Sequence, residues 1–507
     1  MKKIFLSLML LMSLLVSCEM DYKPYGSLDE TTAIQSMNDL YRFRNGVYTG
    51  LRGMTSGSWV TLGDIQTDQF YGLINNANRN GIISNGVFNS STEEFEGFFG
   101  SCYGQIAKAN YLISKTDAFL TSPEFADSAI VIGRYRAEGH FLRAFAYFFL
   151  ADHYCQSYTQ CNPEAKASGM PIVTKYEPTG DVNRFPSRNT LKETFDLIES
   201  DLAKAFDGLK AYEEVNPSAI VPCAKYLSSY AVAAMQARVA LVKGDYATAL
   251  SKAEFVIESN KYPLATINAY AKLWTTDEGT EIIFRPHMSK TEGLSSTGSA
   301  YTASTKQEEA DYIPTLPTLE LYEEGDVRFD AFFKVWRLNI SGATVPAFIF
   351  LKYPGNEALR TTSENNYCNM PKAFRTSELY LIAAEAAVMT DDMNKATKYL
   401  NDLRRNRISS YTDEVYSKNV LMPMVKIERQ RELLGEGFRM SDLRRWNEGF
   451  DRSQGMFGAD FGDLDDYVVK AGTRVKYNVG DYRLTWPIPS TEMDSNPNLK
   501  GQQNPGY

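Results

Sequence analysis

The sequence predicts a mainly α protein: a scaffold of repeated helix pairs, interrupted by an irregular, loop-rich insertion with short strands. Apolar residues recur at helical spacing along most of the chain. Two stretches, 227–259 and 376–407, place small residues in the same way on either side of a turn, whereas 261–374 turns to threonine, glycine and aromatics. The 507 residues are 44% hydrophobic and 23% charged, a globular composition that excludes a disordered or low-complexity chain.

The N-terminus reads as a leader. Lys2 and Lys3 are followed by a mostly apolar run from Ile4 to Val16 and by Ser17-Cys18, a signal peptide over residues 1–17. As a helix that run rises about 20 Å, short of a hydrocarbon core of about 30 Å, so a permanent span is disfavoured. Leu15-Val16-Ser17-Cys18 resembles the lipobox of bacterial lipoproteins, which implies cleavage before Cys18 and lipid on its thiol. Glu19 and Asp21 resemble the acidic signal that sends some lipoproteins to the outer face of the outer membrane.

The elements follow in order. Residues 31–56 and 91–120 read as helical, the second through Ile106, Ala109, Leu112 and Ile113. Between them, 57–90 is rich in Gly and Asn and reads as an irregular loop, a length of connection that tends to carry function. Arg134 to Ala151 sets Ala137, Phe141, Ala144, Phe145 and Phe148 on one face of an amphipathic helix. After a Pro- and Gly-punctuated stretch from Asn162 to Pro186, Leu191, Phe195, Ile198, Leu202 and Ala205 stripe another helix.

Residues 227–259 pair two helices around Gly244-Asp245, with Ala234, Ala237, Ala247, Ala249 and Ala253 where the helices must approach closely. Residues 376–407 repeat this, with Ala383, Ala386 and Ala387 before Asp391-Asp392 and Ala396, Leu400 and Leu403 after it. Both resemble a tetratricopeptide repeat, whose helix pairs bury their faces only by stacking on neighbours. With a split copy flanking the 162–186 stretch the count is about three to four helix pairs, over 31–56, 91–260 and 375–450. In 261–374, alternating runs at Glu281 to Arg285 and Ala347 to Lys352 suggest small strands, and Trp274 and Trp336 read as core. The turn-rich tail, 468–507, holds Trp486 and Ile488, which argue for an ordered strap over the helices.

Charge and chemistry narrow the function. The formal charge is −9, or −11 once Lys2 and Lys3 leave with the leader, so generic nucleic-acid binding is disfavoured. Between Asp402 and Glu448 ten bases face eight acids, a mixed segment. Three isolated histidines (His140, His153, His287) give no metal-ligand spacing, and no serine elbow or phosphate loop is present. Five cysteines besides Cys18 are no disulfide scaffold; Cys155 and Cys161 suit either one local bridge or a free buried pair.

In this order the pieces resemble the SusD/RagB family of surface glycan- and nutrient-binding lipoproteins, as a single domain over 18–507. The resemblance rests on Arg136-Ala137-Glu138 through Phe141-Leu142-Arg143-Ala144, and on Glu378-Leu379-Tyr380 with Ala384-Glu385-Ala386. It continues through Glu428 to Leu433, Glu436-Gly437-Phe438-Arg439, Asp442 to Trp446, Pro487-Ile488-Pro489 and Gln503 to Tyr507. It implies a right-handed tetratricopeptide scaffold with an irregular ligand-binding face, acting as a lid on a TonB-dependent outer-membrane transporter of the SusC type. It implies neither catalysis nor a cofactor. The ligand is an oligosaccharide by this resemblance; a peptide, or a protein partner alone, are the competing readings.

Paired carboxylates are the one enzyme-like signal. Glu378 and Glu385 lie two turns apart on one helix, and Glu428, Glu432 and Glu436 repeat at every fourth position. Each cluster sits among arginines, which favours a structural ion-pair network of Glu378, Glu385, Arg429, Glu432 and Arg439 over catalysis. For ligand capture, sugars ask for flat aromatic faces flanked by amides or charges. The 57–90 loop offers Trp59, Asp64, Asp68, Tyr71, Asn75, Asn76, Arg79 and Asn80, and the insertion offers Tyr301 and Tyr312.

Overall fold

The computed structural model describes residues 33–74, 79–292, 296–302, 309–453, 457–468 and 476–507. The leader, Cys18, Asn75 and Asn76 lie outside these residues. The chain divides into two compact units, 1–43 and 44–507. In the first, Ser36 and Asp39 cap the start of helix α1 (Met37–Met54) reciprocally: the Asp39 N–H donates to Ser36 Oγ at 3.2 Å and the Ser36 N–H to Asp39 Oδ2 at 3.0 Å.

In the second unit the helices are α2 (Ser58–Ile65), α3 (Glu93–Thr121), α4 (Ala129–Tyr154), α5 (Leu191–Val215), α6 (Ser229–Lys243), α7 (Tyr246–Glu258), α8 (Thr376–Met389), α9 (Met393–Arg405), α10 (Lys418–Leu433) and α11 (Arg439–Arg445). From α3 to α9 each helix packs on the next, and α8 also takes α10. This is the tetratricopeptide-like scaffold that the repeated pattern predicts. The chemistry of its turns is local. Helix α6 ends at Gly244 in the left-handed conformation (φ 81°), and the Asp245 side chain accepts from the Thr248 N–H at 3.1 Å to start α7. Asp391 (φ 66°) and Asp392, which accepts from the Lys395 N–H at 3.0 Å, make the same turn between α8 and α9. The small residues of α6 and α8, Ala234, Ala237, Ala383 and Ala387 among them, are fully buried, so these backbones approach closely.

Antiparallel two-stranded ladders sit beside the scaffold. Strand β1 (Phe70–Gly72) pairs with β3 (Tyr312–Pro314), and β2 (Ile282–Phe284) with β6 (Phe374–Arg375). The longest ladder joins β4 (Phe333–Ile340) to β5 (Ala343–Phe350), and β7 (Phe450–Asp451) pairs with β8 (Lys476–Tyr477). The expectation that 57–90 is irregular throughout is corrected: it holds α2, β1 and a helical turn at Gly81–Ser84. Burial of Leu62 and Ile65 outweighs the Gly- and Asn-rich composition there. Trp274 is buried as expected, whereas Trp336, opposite Ala347 on β4, is only partly covered.

Arginine–carboxylate pairs join the elements. Glu432 accepts from Arg407 Nε at 2.9 Å, Arg375 Nη1 at 2.8 Å and Arg328 Nη1 at 3.1 Å, all of them buried. Burial pushes the Glu432 carboxyl up, and the three guanidinium groups outweigh it and hold it well below its usual range. Glu378 pairs with Arg238 at 2.7 Å, Glu385 with Arg445 at 2.7 Å, and Arg429 with Asp442 at 2.7 Å. The expected network is thus several clusters. Arg405 lies outside them, meeting Asp402 and Asp413 at the surface. Cys155 and Cys161 are free thiols.

Candidate functional site

The loop face is built on the β1–β3 ladder. Tyr71 lies opposite Ile313, and the Leu73 N–H donates to the Asp311 carbonyl at 3.0 Å, which carries the pairing to the end of the strand. Tyr301 supports it from behind. Its carbonyl accepts from the Asp311 N–H at 2.9 Å, and its ring lies between Phe70 and Phe350 with both centroids 4.8 Å away.

Arg79 fastens the rim. Its Nε stands 2.9 Å from Asp311 Oδ2, its Nη2 donates to the Ser299 carbonyl, and its own carbonyl accepts from the Tyr312 hydroxyl at 2.7 Å. One side chain thereby ties 296–302 to 309–312, while remaining 38% exposed. Burial raises the Asp311 carboxyl to about 6 against the pull of Arg79.

Beside Tyr71 a polar pocket of about 170 Å³ is lined by Asp68, Tyr71, Thr315, Gln430, Asp451 and Arg452. The Tyr71 ring meets Phe457 edge-on at 5.9 Å. Asp68 receives Arg439 through Nε at 2.8 Å and Nη2 at 2.6 Å; burial raises its carboxyl, but Arg439 outweighs that and holds it below its usual value. Arg452 is a hub that the sequence reading missed. It donates to the carbonyls of Ile65 and Phe70 at 3.1 Å each and to that of Ser84, pinning α2, β1 and the 81–84 turn together. No local pattern announces partners so far away in the chain.

The proposed ligand residues fall in different places. Tyr71, Arg79, Asn80 and Tyr312 gather around the ladder, although Tyr71 is 6% and Tyr312 0% exposed and only the edges of the site reach solvent. Asp64 and Tyr301, like Tyr312, are fully buried, and they lie behind the ladder. Asp64 accepts from the Gly437 N–H at 2.8 Å and the Arg439 N–H at 3.4 Å, and burial still raises it to about 7. Trp59 is half-buried in α2, packed on Phe98 and Phe149 away from the ladder. Among the described residues no group of His, Cys, Asp or Glu is arranged to hold a metal, and no helix is long and apolar enough to cross a membrane.

A helical-repeat scaffold carries a ladder-supported, partly polar loop face, an arrangement suited to binding. Family comparison makes this specific. A family model described as starch-binding associating with outer membrane matches residues 20–241, and one described as the SusD family matches 344–507. Taken together, the two matches and the SusD-like relatives support a SusD/RagB family protein. SusD-like protein P38 of Formosa agariphila is 23% identical over 100% of this chain and 99% of its own length. The fold is similar to a SusD superfamily protein from Bacteroides thetaiotaomicron (TM-score 0.76, 24% identity, 93% of this chain and 100% of that one). It is also similar to a candidate sugar-binding protein from Bacteroides vulgatus (TM-score 0.74, 25% identity, 94% and 100%).

Proposed function

We propose that this protein is anchored by lipid on Cys18 at the outer face of the outer membrane, where it captures an oligosaccharide and delivers it to a SusC-like TonB-dependent transporter. The observation that carries the reading is the match of residues 20–241 to the model described as starch-binding associating with outer membrane, because that segment contains Tyr71, Arg79 and Asn80. The loop face supports it: a ladder fixes the backbone, Arg79 and Asp311 offer donors and acceptors at the rim, and Tyr71 and Phe457 supply rings below. No catalytic step belongs to this reading.

The experiment is isolation of the lipid-anchored chain from outer membranes, with identification of what co-purifies, beside a binding screen of the chain against polysaccharides and peptide mixtures. A co-purifying TonB-dependent barrel and retention of a glycan support the reading. Peptide retention in place of glycan moves the ligand to a peptide, and capture of other proteins alone moves the function to a scaffold.

A further inference from the structure

A second cavity, of about 120 Å³, lies apart from the loop face, between the end of α4, α6, the start of α2 and the segments 369–373 and 436–442. Its walls include Trp59, Phe148, Phe149, Val242, Trp274 and Phe438, and neither Tyr71, Arg79 nor Tyr312 reaches it. Trp59 stands edge-on to Phe149 with centroids 4.6 Å apart, and the guanidinium groups of Arg238 and Arg429 lie 4.9 and 5.4 Å from the Phe438 ring.

Within this aromatic box some hydrogen-bonding capacity is left over. Trp274 is 1% exposed and its Nε1 has no partner. Arg429 is 3% exposed; its Nε donates to Asp442 Oδ2 at 2.7 Å, and its Nη1 has no partner. His153 is buried with Nδ1 2.9 Å from the Phe149 carbonyl, so Nδ1 donates there and Nε2 is left as an acceptor. Buried donors without acceptors are costly, and a ligand that supplies an acceptor removes the cost.

Most of the charges around the cavity are held in ion pairs, and the Asp152 carboxylate is held by a hydroxyl. Arg238 holds Glu378 at 2.7 Å, Lys372 holds Asp277 at 2.8 Å, Lys352 holds Glu436 at 2.7 Å, and Asp152 accepts from Ser441 Oγ at 2.7 Å while Arg444 binds its carbonyl. The lining cations Arg238, Lys352, Lys372 and Arg429 are each paired, so an anionic ligand would enter with no cation to spare.

We propose that this cavity binds one small, neutral aromatic molecule carrying a carbonyl oxygen, its ring among Trp59, Phe149 and Phe438 and its oxygen accepting from the donors left over on Trp274 and Arg429. The site is independent of glycan capture on the loop face.

The test uses the full mature chain with acetophenone as the probe, read by saturation-transfer NMR and by quenching of tryptophan fluorescence. Ethylbenzene removes the acceptor, benzoate adds a charge, and glucose replaces the ring by a polyol. Acetophenone is expected to bind, with ethylbenzene and benzoate about tenfold weaker or more. Val242→Trp, which fills the cavity, is expected to abolish binding, and Trp59→Ala, at a half-buried wall position, to weaken it about tenfold. No saturation by acetophenone at about 10 mM, a preference for benzoate or glucose, or unchanged binding in either variant that keeps its melting temperature overturns the proposal. Arg79 is not a wall of this cavity and Trp59 and Val242 are not on the loop face, so glycan retention and acetophenone binding are lost through different variants and the two readings fail separately.

Discussion

Glu432 and Arg407 meet at 2.9 Å with both side chains shut off from water, and Arg375 and Arg328 close on the same carboxylate. The cluster ties α10 to β6, to the end of α9 and to the insertion. Removing the carboxylate leaves buried guanidinium groups uncompensated, so Glu432→Ala is expected to cost about 3–5 kcal/mol. Denaturant unfolding measures it, and a cost under about 1 kcal/mol contradicts a structural role.

Asp64 titrates in the opposite sense. Its folded value of about 7 exceeds its ordinary value of 3.8, so the folded state binds the extra proton and stability from this group falls as pH rises from about 4 to about 7. The Asp64→Asn variant cannot ionise. Relative to wild type it is expected to gain stability between pH 5 and pH 8, on the order of 2–4 kcal/mol. A difference between the two proteins that stays constant with pH contradicts this.

Arg79 holds both ends of the rim. Arg79→Ala is expected to raise amide hydrogen exchange at Asp311 and Tyr312 by about tenfold or more while the helices α6 and α8 keep their protection. Unchanged exchange at these two amides would show that the ladder stands without it.

Trp486 anchors the C-terminal segment. It is 1% exposed, stacks on Phe95 at 4.7 Å, and donates through Nε1 to Gln66 Oε1 at 3.0 Å, while its backbone N–H donates to the His153 carbonyl at 2.8 Å. Trp486→Ala is expected to cost about 3–5 kcal/mol, seen as a lower denaturation midpoint. An unchanged midpoint would mean that the tail packs without contributing to stability.

What the sequence discloses and what it hides divide along the range of the interactions. The repeat turns are legible because Gly244-Asp245 and Asp391-Asp392 carry their own left-handed residue and cap, and the alanine faces of α6 and α8 follow the helical period. Helix α2 is hidden by its Gly- and Asn-rich surroundings, since burial of Leu62 and Ile65 forms it. Arginine beside glutamate announces ion pairs, yet the partners of Glu432 include Arg328, 104 residues away. On the loop face, residue type does not report direction: Asp64 is fully buried, whereas Asp68, four residues on, is partly exposed and takes Arg439. Arg452, 368 to 387 residues from the carbonyls it joins, leaves no local trace at all.

The central claim is glycan capture at the loop face. It is tested most directly by retention of the mature chain in gels containing polysaccharides, with Arg79→Ala and Tyr71→Ala run beside wild type and their melting temperatures recorded. The account predicts one glycan that retards wild type and loses about tenfold or more of its affinity in Arg79→Ala, a variant that stays folded. Retention of no glycan, or equal retention of wild type and both variants, would contradict it.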